Sequence, residues 1–261
     1  MQAYAYSGAG NSFLFFDDRE ELFAFSEKDE IQKLCADQYD GLVLLQNSSI
    51  AKFRMRIFNR DGSEAAMCGN ALRCFLVFAF EQRLIEDKSA DCLIETADGV
   101  KFCRFDGQLI LSGMGQAKNF QTHDLEIFGK KTRLYTLDMG VSHAVVFQNG
   151  EISIDELGPL LRWHPQFSPN GLNVNLVQKV DEKFFIQTFE RGVEKMTLSC
   201  GTGACATAVC LNIVKKIPAP ISFLTPSKEV LQVSWKENFK EIYLLGPVKK
   251  ISIPQSKISI N

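Results

Sequence analysis

Short apolar runs separated by Gly, Asp and Asn dominate the hydrophobic pattern of the chain. Such runs, bounded by turn-forming residues, are typical of β-strands. The predicted strands are Ser12–Phe16, Leu42–Gln46, Phe53–Phe58, Cys92–Thr96, Lys101–Phe105, Leu109–Ser112, Arg133–Asp138, Ala144–Phe147, Asn173–Val177, Phe184–Phe189, Val230–Trp235 and Glu241–Leu245. Amphipathic patterns predict helices at Arg19–Phe25 and Glu30–Tyr39, with caps at Asp17–Asp18 and Ser26–Glu27.

Two longer segments, 71–80 and 203–214, are apolar on nearly every side. A helix of this kind is buried inside a larger structure. Each segment follows a Cys-Gly turn, and the two turns lie about half a chain length apart, as expected if one unit had been used twice. We therefore predict an α+β fold of two pseudo-symmetric domains, each a mostly antiparallel sheet or barrel wrapped around a central buried helix.

No Pro-rich or Gly/Ser-rich linker separates the two halves, and we expect the join near Gly113–Gln116. The first domain would comprise residues 1–113, completed by 250–261, and would carry Cys68. The second would comprise residues 114–249 and carry Cys200.

Cys68 and Cys200 would each lie at a helix N-terminus, where N–H groups and the helix dipole favour an anion. This environment lowers the pKa of a thiol. Two such thiols facing each other could remove a proton from one face of a carbon and return one to the other, which is racemase chemistry. The other six cysteines are interpreted as small buried apolar residues: Cys35, Cys74, Cys92, Cys103, Cys205 and Cys210.

Composition restricts the partners. The 261-residue chain is 46% hydrophobic and has a formal net charge of −2, which gives no reason to expect nucleic acid. Residues 1–8 lack the pattern of a signal peptide, and the longest apolar run, Cys74–Phe80, is too short to span a membrane. Eight cysteines in such a chain indicate free thiols, and we expect a cytoplasmic protein.

We expect neither a metal nor a cofactor. The spacings Cys68-x5-Cys74 and Cys200-x4-Cys205-x4-Cys210 fit no common zinc pattern. The segment 8–11 is too short for a dinucleotide or P-loop fingerprint.

Six segments in order resemble diaminopimelate epimerases, which convert LL-diaminopimelate to the meso form without a cofactor. The matching segments are 6–13, 56–70, 138–143, 173–175, 189–192 and 200–205. The resemblance implies a small amino-acid substrate and a place in lysine and cell-wall peptide biosynthesis.

The same resemblance implies a set of site residues. Cys200 would take the proton from the LL isomer and Cys68 would return one, with His143 and Glu190 tuning the thiol pKa values. Glu190 would also hold the α-ammonium. The α-carboxylate would bind backbone N–H groups at the two helix N-termini, and other polar side chains would contact the substrate, with Arg191 suited to the distal carboxylate. The backbone donors are Gly69, Asn70, Gly201 and Thr202, and the contacting side chains are Asn11, Asn59, Asn173 and Arg191.

Four positions depart from the family pattern. Gly41 stands where a Gln is usual, and Val141 where an Asn is usual, so each loses a polar contact to substrate. Ala71 and Ser12 replace a common Gly and Asp. We therefore expect looser specificity, extending to amino acids with a side-chain carboxylate such as glutamate.

Other classes of function stay open. A related cofactor-independent racemase, acting on glutamate or on proline, would use the same thiols. A non-catalytic binding protein or a thiol redox protein is a further alternative. The sequence also leaves a homodimer open.

Overall fold

The computed structural model describes residues 2–23, 28–36, 38–148 and 152–253. The chain divides into two compact units: Met1–Gly113 with Leu245–Asn261, and Met114–Leu244. Within the predicted C-terminal completion of the first domain, residues 254–261 lie outside the described residues, as does the predicted cap Ser26–Glu27. Assigning one functional half to each domain remains a prediction.

Eighteen strands and four α-helices make up most of the described part of the chain. In order, the elements are β1 (Tyr4–Gly8), β2 (Asn11–Asp17), α1 (Lys28–Cys35), β3 (Gly41–Gln46), β4 (Phe53–Asn59), β5 (Glu64–Ala65), α2 (Gly69–Glu81), β6 (Cys92–Thr96), β7 (Gly99–Asp106), β8 (Leu109–Gly115), β9 (Lys118–Ile127), β10 (Lys130–Asp138), β11 (Ser142–Phe147), α3 (Ile154–Arg162), β12 (Asn173–Val180), β13 (Lys183–Glu190), β14 (Lys195–Thr197), α4 (Gly201–Lys215), β15 (Ile221–Leu224), β16 (Val230–Lys236), β17 (Glu241–Gly246) and β18 (Lys249–Ile251).

The two units repeat one strand plan. In the first unit the strands pair in the order β18–β1–β2–β3–β4–β6–β7–β8, with β5 also on β4. In the second, they pair in the order β9–β10–β11–β12–β13–β15–β16, with β14 also on β13. Among these pairings, the parallel ones are β2–β3 and β4–β6 in the first unit, and β11–β12 and β13–β15 in the second. A helix lies between the partners of each parallel pair along the chain, since parallel strands need a crossover connection.

One helix in each unit is buried in the core. Helix α2 packs on β1, β2, β3, β4 and β7, and α4 packs on β10, β11, β12 and β16. Ten residues of each helix are buried, on all of its faces, as their sequences predict. The predicted α+β fold is confirmed, and every predicted strand lies within an observed one.

The predicted helix at Arg19–Phe25 is wrong over its described part, because residues 19–23 are not helical. Side-chain hydrogen bonds compete with the helix there. The carboxylate of Asp18 accepts from the Phe23 backbone N–H at 2.9 Å and from Gln46 at 2.8 Å, while Arg19 pairs with Asp17. The predicted helix at Glu30–Tyr39 is confirmed in part, since α1 ends at Cys35.

Helix α3 was not predicted. Pro159 in its interior masked the helical pattern. Its start nevertheless carries a capping box, in which Ser153 Oγ accepts from the Glu156 N–H and Glu156 reaches back to the Ser153 N–H.

Candidate active site

The strand register gathers the predicted polar residues at one end of each sheet. In the first unit, β2 begins at Asn11, and Gly41 at the start of β3 is paired with Asn59 at the end of β4. In the second, His143 near the start of β11 is paired with Asn173 at the start of β12. Residues far apart in sequence thereby share one end of a sheet.

Cys68 is the N-cap residue of α2. Its backbone is extended (φ −140°, ψ 120°), and its side chain is half-buried and makes no capping hydrogen bond. Gly69 and Asn70 form the first turn, so their N–H groups are among those that a helix leaves without an intrahelical acceptor. This turn can therefore hold an anion beside the thiol.

The side chains of Asn70 and Asn11 meet in front of this turn. Asn70 Nδ2 donates to Asn11 Oδ1 at 2.5 Å. Strand β1, which ends at Gly8, runs close to the first turn of α2. A Cβ at Gly8 would lie 2.7 Å from the Asn70 carbonyl oxygen, which explains glycine at this position. Two predicted site residues, 59 positions apart in sequence, are thus in direct contact.

Asn59 lies at the same end of the sheet but is bonded elsewhere. Its Nδ2 donates to Ser63 Oγ at 3.0 Å within the turn after β4. Asp40, which the sequence analysis did not select, accepts from the Ser12 backbone N–H at 2.9 Å and from Asn11 Nδ2 at 3.4 Å. It therefore anchors the start of β2 beside Asn11.

Cys200 is the N-cap residue of α4 and is 8% exposed. Its Sγ accepts from the Gly203 N–H at 3.4 Å and lies 3.4 Å from Thr202 Oγ1. Both contacts stabilise negative charge on the sulfur when the hydroxyl donates. The two helices therefore present cysteines in the same N-cap position, with Cys200 the more enclosed.

A buried polar network lies under the first turn of α4. Asn175 Nδ2 donates to the Ala144 carbonyl oxygen at 2.9 Å and lies 3.1 Å from His143 Nδ1, while Thr188 Oγ1 donates to Asn175 Oδ1 at 2.9 Å. A Cβ at Gly203 would lie 2.3 Å from Asn175 Oδ1, so the helix rests directly on this network.

His143 is fully buried, and burial, reinforced by the positive charge of Arg191, lowers its pKa to about 3. Its ring is therefore neutral at neutral pH. Its Nδ1 lies 3.1 Å from Asn175 Nδ2 and its Nε2 lies 3.4 Å from Asn173 Nδ2, and a neutral ring accepts from only one of these two amides.

Strand β13 ends at Glu190, and Arg191 is the next residue. The Arg191 backbone N–H donates to Asn173 Oδ1 at 2.7 Å, which links this turn to the start of β12. Both side chains are half-buried. In the second unit, the predicted residues His143, Asn173 and Arg191 thus belong to one connected group.

The six cysteines predicted to be structural are confirmed as buried. Burial raises the pKa of Cys35 and of Cys92 to about 11, and it also raises the pKa values of Cys103 and Cys210. All eight cysteines lie in the described part of the chain and are thiols. Only Cys68 and Cys200 occupy N-cap positions of the helices described.

Sequence reasoning missed Arg73, Asn175 and Thr188. Arg73 is fully buried and donates to Asn70 Oδ1 at 2.7 Å. A charged residue inside an otherwise apolar helix was the signal that could have revealed it. For Asn175 the signal was its spacing of two from Asn173, which in a strand places both side chains on one face.

The described residues contain neither a metal-binding cluster nor a membrane-spanning helix. No group of three or more His, Cys, Asp and Glu side chains there could hold a metal ion. The helices described include none long and apolar enough to cross a membrane.

Comparisons with known proteins agree on the family. The family described as diaminopimelate epimerase matches residues 3–119 and 135–251. The diaminopimelate epimerase of Aquifex aeolicus is 35% identical, with 96% of each chain covered. That of Chlamydia muridarum is 35% identical, covering 97% of this chain and 93% of the relative.

Solved structures share the fold at low identity. A phenazine biosynthesis protein from Bacillus anthracis superposes with a TM-score of 0.75 at 14% identity, covering 97% of this chain and all of that one. A hydroxyproline epimerase from Agrobacterium vitis does so with a TM-score of 0.68 at 17% identity, covering 97% and 91%. Together with the sequence matches, the fold defines an isomerase of the epimerase class. The chain belongs to the diaminopimelate epimerase family.

Proposed function

We propose that this protein converts LL-2,6-diaminopimelate to meso-diaminopimelate by a two-cysteine proton transfer that needs no cofactor. The observation that carries the proposal is that each repeated unit places a cysteine at the N-cap of its buried helix. Membership of the family supports the substrate. The reaction would supply meso-diaminopimelate to lysine and cell-wall peptide synthesis in the cytoplasm.

In the forward direction, the Cys200 thiolate removes the α-proton of the LL isomer and becomes a thiol. The electron pair of the broken C–H bond stays on the α-carbon. The Cys68 thiol then donates its proton to the opposite face of that carbon and becomes a thiolate. The reverse reaction starts from the opposite protonation states.

The carbanion needs electrostatic stabilisation, because an α-proton is very weakly acidic. Backbone N–H groups at the starts of α2 and α4, from Gly69, Asn70, Gly201 and Thr202, would bind the α-carboxylate. These donors are held by the helices before the substrate arrives, so they do not need to reorganise during the reaction.

The second unit would also hold the α-ammonium and the distal carboxylate of the substrate. Glu190 would bind the α-ammonium, and the Arg191 guanidinium would bind the distal carboxylate through two parallel hydrogen bonds. Asn11, Asn59 and Asn173 would complete the polar contacts. Because the His143 ring is neutral, it would tune the thiols by orienting neighbouring dipoles instead of supplying a positive charge.

Specificity would be looser than is usual for the family. A Cβ at Gly41 would lie 2.4 Å from the Phe58 carbonyl oxygen, so the packing of β3 on β4 excludes the amide side chain usual there. Val141 offers no side-chain hydrogen bond either. A hydrogen bond to a charged group contributes about 1.5–3 kcal/mol. Without the contacts at positions 41 and 141, the site gains less binding energy from the distal part of diaminopimelate. A smaller substrate such as glutamate, which lacks part of that distal end, would therefore lose less affinity relative to diaminopimelate.

Proton NMR in D₂O tests the proposal. Reduced protein is incubated separately with LL-diaminopimelate and L-glutamate, alongside Cys68→Ala, Cys200→Ala and the structural control Cys35→Ala. We expect loss of the α-proton signal and formation of the meso isomer with wild type and the control, and neither with the two active-site variants.

The outcomes separate the alternatives. Exchange with LL-diaminopimelate but none with concentrated glutamate would refute the broader specificity. Exchange with glutamate alone would identify a glutamate racemase. No exchange with either substrate, with the thiols shown to be reduced, would refute the catalytic proposal in favour of binding or redox function.

A further inference from the structure

Arg73 is among the largest fully buried side chains of the protein. It lies on α2 between Leu72 and Cys74, both members of the apolar core of the first unit. Burying a charge is costly unless hydrogen bonds compensate for the lost water. A guanidinium in this position therefore calls for a role beyond filling space.

The guanidinium of Arg73 reaches back to the first turn of its own helix. Its Nη1 donates to the Gly69 carbonyl oxygen at 3.1 Å and its Nη2 to Asn70 Oδ1 at 2.7 Å. These acceptors belong to the two residues that follow Cys68. The positive charge is thus held beside the turn that carries the thiol.

The charge also sets the direction of two amide groups. Arg73 can only donate, so the atom of Asn70 facing it must be the carbonyl oxygen Oδ1. Asn70 Nδ2 is then the atom that donates to Asn11 Oδ1 at 2.5 Å. As a consequence, Asn11 Oδ1 faces Asn70, and Asn11 Nδ2 donates to Asp40 Oδ2 at 3.4 Å.

We propose that Arg73 is a positioning residue for the Cys68 half of the site. It fixes the orientation of the Asn70 and Asn11 amides at the start of α2, where we expect the substrate carboxylate to bind, and its charge favours the Cys68 thiolate. The substrate part of this inference rests on the proposed function, whereas the effect on the thiol does not.

A positive charge next to a cysteine stabilises the thiolate and so lowers the thiol pKa. In Arg73→Met the guanidinium is replaced by an apolar side chain that suits the core, and the charge is lost. We expect the pH midpoint for alkylation of Cys68 by iodoacetamide to rise by about one unit, a tenfold lower rate at a fixed pH below it. Arg73→Lys keeps the charge and should keep the midpoint.

The measurement follows alkylation of the Cys68 peptide by mass spectrometry across pH, with circular dichroism to show folding. The matched control is Arg54→Met, which removes an exposed arginine on β4 and should leave the midpoint unchanged. If Arg73→Met does not fold, Arg73→Gln decides. Its amide can still donate to the first turn of α2 but carries no charge, so the midpoint should rise as in Arg73→Met.

An unchanged Cys68 midpoint in folded Arg73→Met, or in Arg73→Gln where that variant decides, would overturn the proposal. An equal rise in Arg73→Lys and Arg73→Met would overturn the role of the charge. Because alkylation needs no substrate, a midpoint shift in a protein that exchanges no α-proton would refute the proposed function alone. In an active protein, we also expect a higher KM in Arg73→Lys, since one ammonium cannot replace the two-pronged contact.

Discussion

A single methyl group added at Gly203 tests whether the buried network beneath α4 sets the position of Cys200. The new Cβ would lie 2.3 Å from Asn175 Oδ1, 3.1 Å from Thr188 Oγ1 and 3.3 Å from the Cys200 Cβ. Asn175 would have to withdraw by about 1 Å, or the helix would have to lift, because a core without voids cannot absorb the overlap.

The cost of Gly203→Ala follows from these contacts. Overpacking costs about 1–3 kcal/mol, and leaving one buried polar group without its partner costs about 1–3 kcal/mol more. Alanine is a better helix former than glycine by about 1 kcal/mol, which offsets part of the loss. We expect the free energy of unfolding to fall by roughly 1–5 kcal/mol. A displacement of about 1 Å at the thiol should slow α-proton exchange about 100-fold.

A double-mutant cycle with Asn175→Ala identifies the cause. Without the Asn175 side chain, the methyl group no longer meets Oδ1, so Gly203→Ala should cost less than about 1 kcal/mol in that background. Urea denaturation of the four proteins, with proton NMR for exchange, gives both quantities. If Gly203→Ala lowers the free energy of unfolding equally in the wild-type and Asn175→Ala backgrounds, the overlap with Asn175 is not the cause. A Gly203→Ala protein with wild-type stability and exchange rate would also refute the prediction.

Three further predictions concern stability. Glu81→Ala should cost about 1–3 kcal/mol by urea denaturation, because the buried Tyr6 hydroxyl that donates to Glu81 at 2.9 Å loses its acceptor, whereas Glu81→Gln should cost less. Ser153→Ala should lower the free energy of unfolding by about 1 kcal/mol through loss of the α3 cap, and no change in urea would count against that cap. Because the pKa of His143 is lowered from 6.5 to about 3, its contribution to stability is present above pH 6.5 and falls towards pH 3, by up to about 1.4 kcal/mol per pH unit. An equally steep acid loss in His143→Gln would contradict this.

Local patterns were sufficient for most of the fold. The predicted strands are confirmed because alternation and turn residues act over a few positions, and the two central helices are confirmed because each is apolar on every face. The failure at Arg19–Phe25 has a non-local cause, since Gln46 from β3 helps to hold the Asp18 carboxylate away from a helical cap.

The candidate site divides in the same way. Cys68 and Cys200 were found from Cys-Gly turns before apolar segments, a signal that lies within a few residues of each. Arg73 and Asn175 were missed because their importance depends on burial and on partners from other turns and strands. The neutral state of His143 likewise follows from burial and from the nearby Arg191 charge, which no short sequence window reveals.

The sequence by itself therefore determined the repeated α+β plan, the two cysteine-capped helices and the resemblance that led to the family, since periodicity and turn chemistry are local properties of a chain. Only the tertiary structure decided which polar groups are buried, which amide faces which partner and which position tolerates no Cβ. Those properties depend on strand register and close packing, which bring residues such as Asn11 and Asn70 into contact across long stretches of sequence.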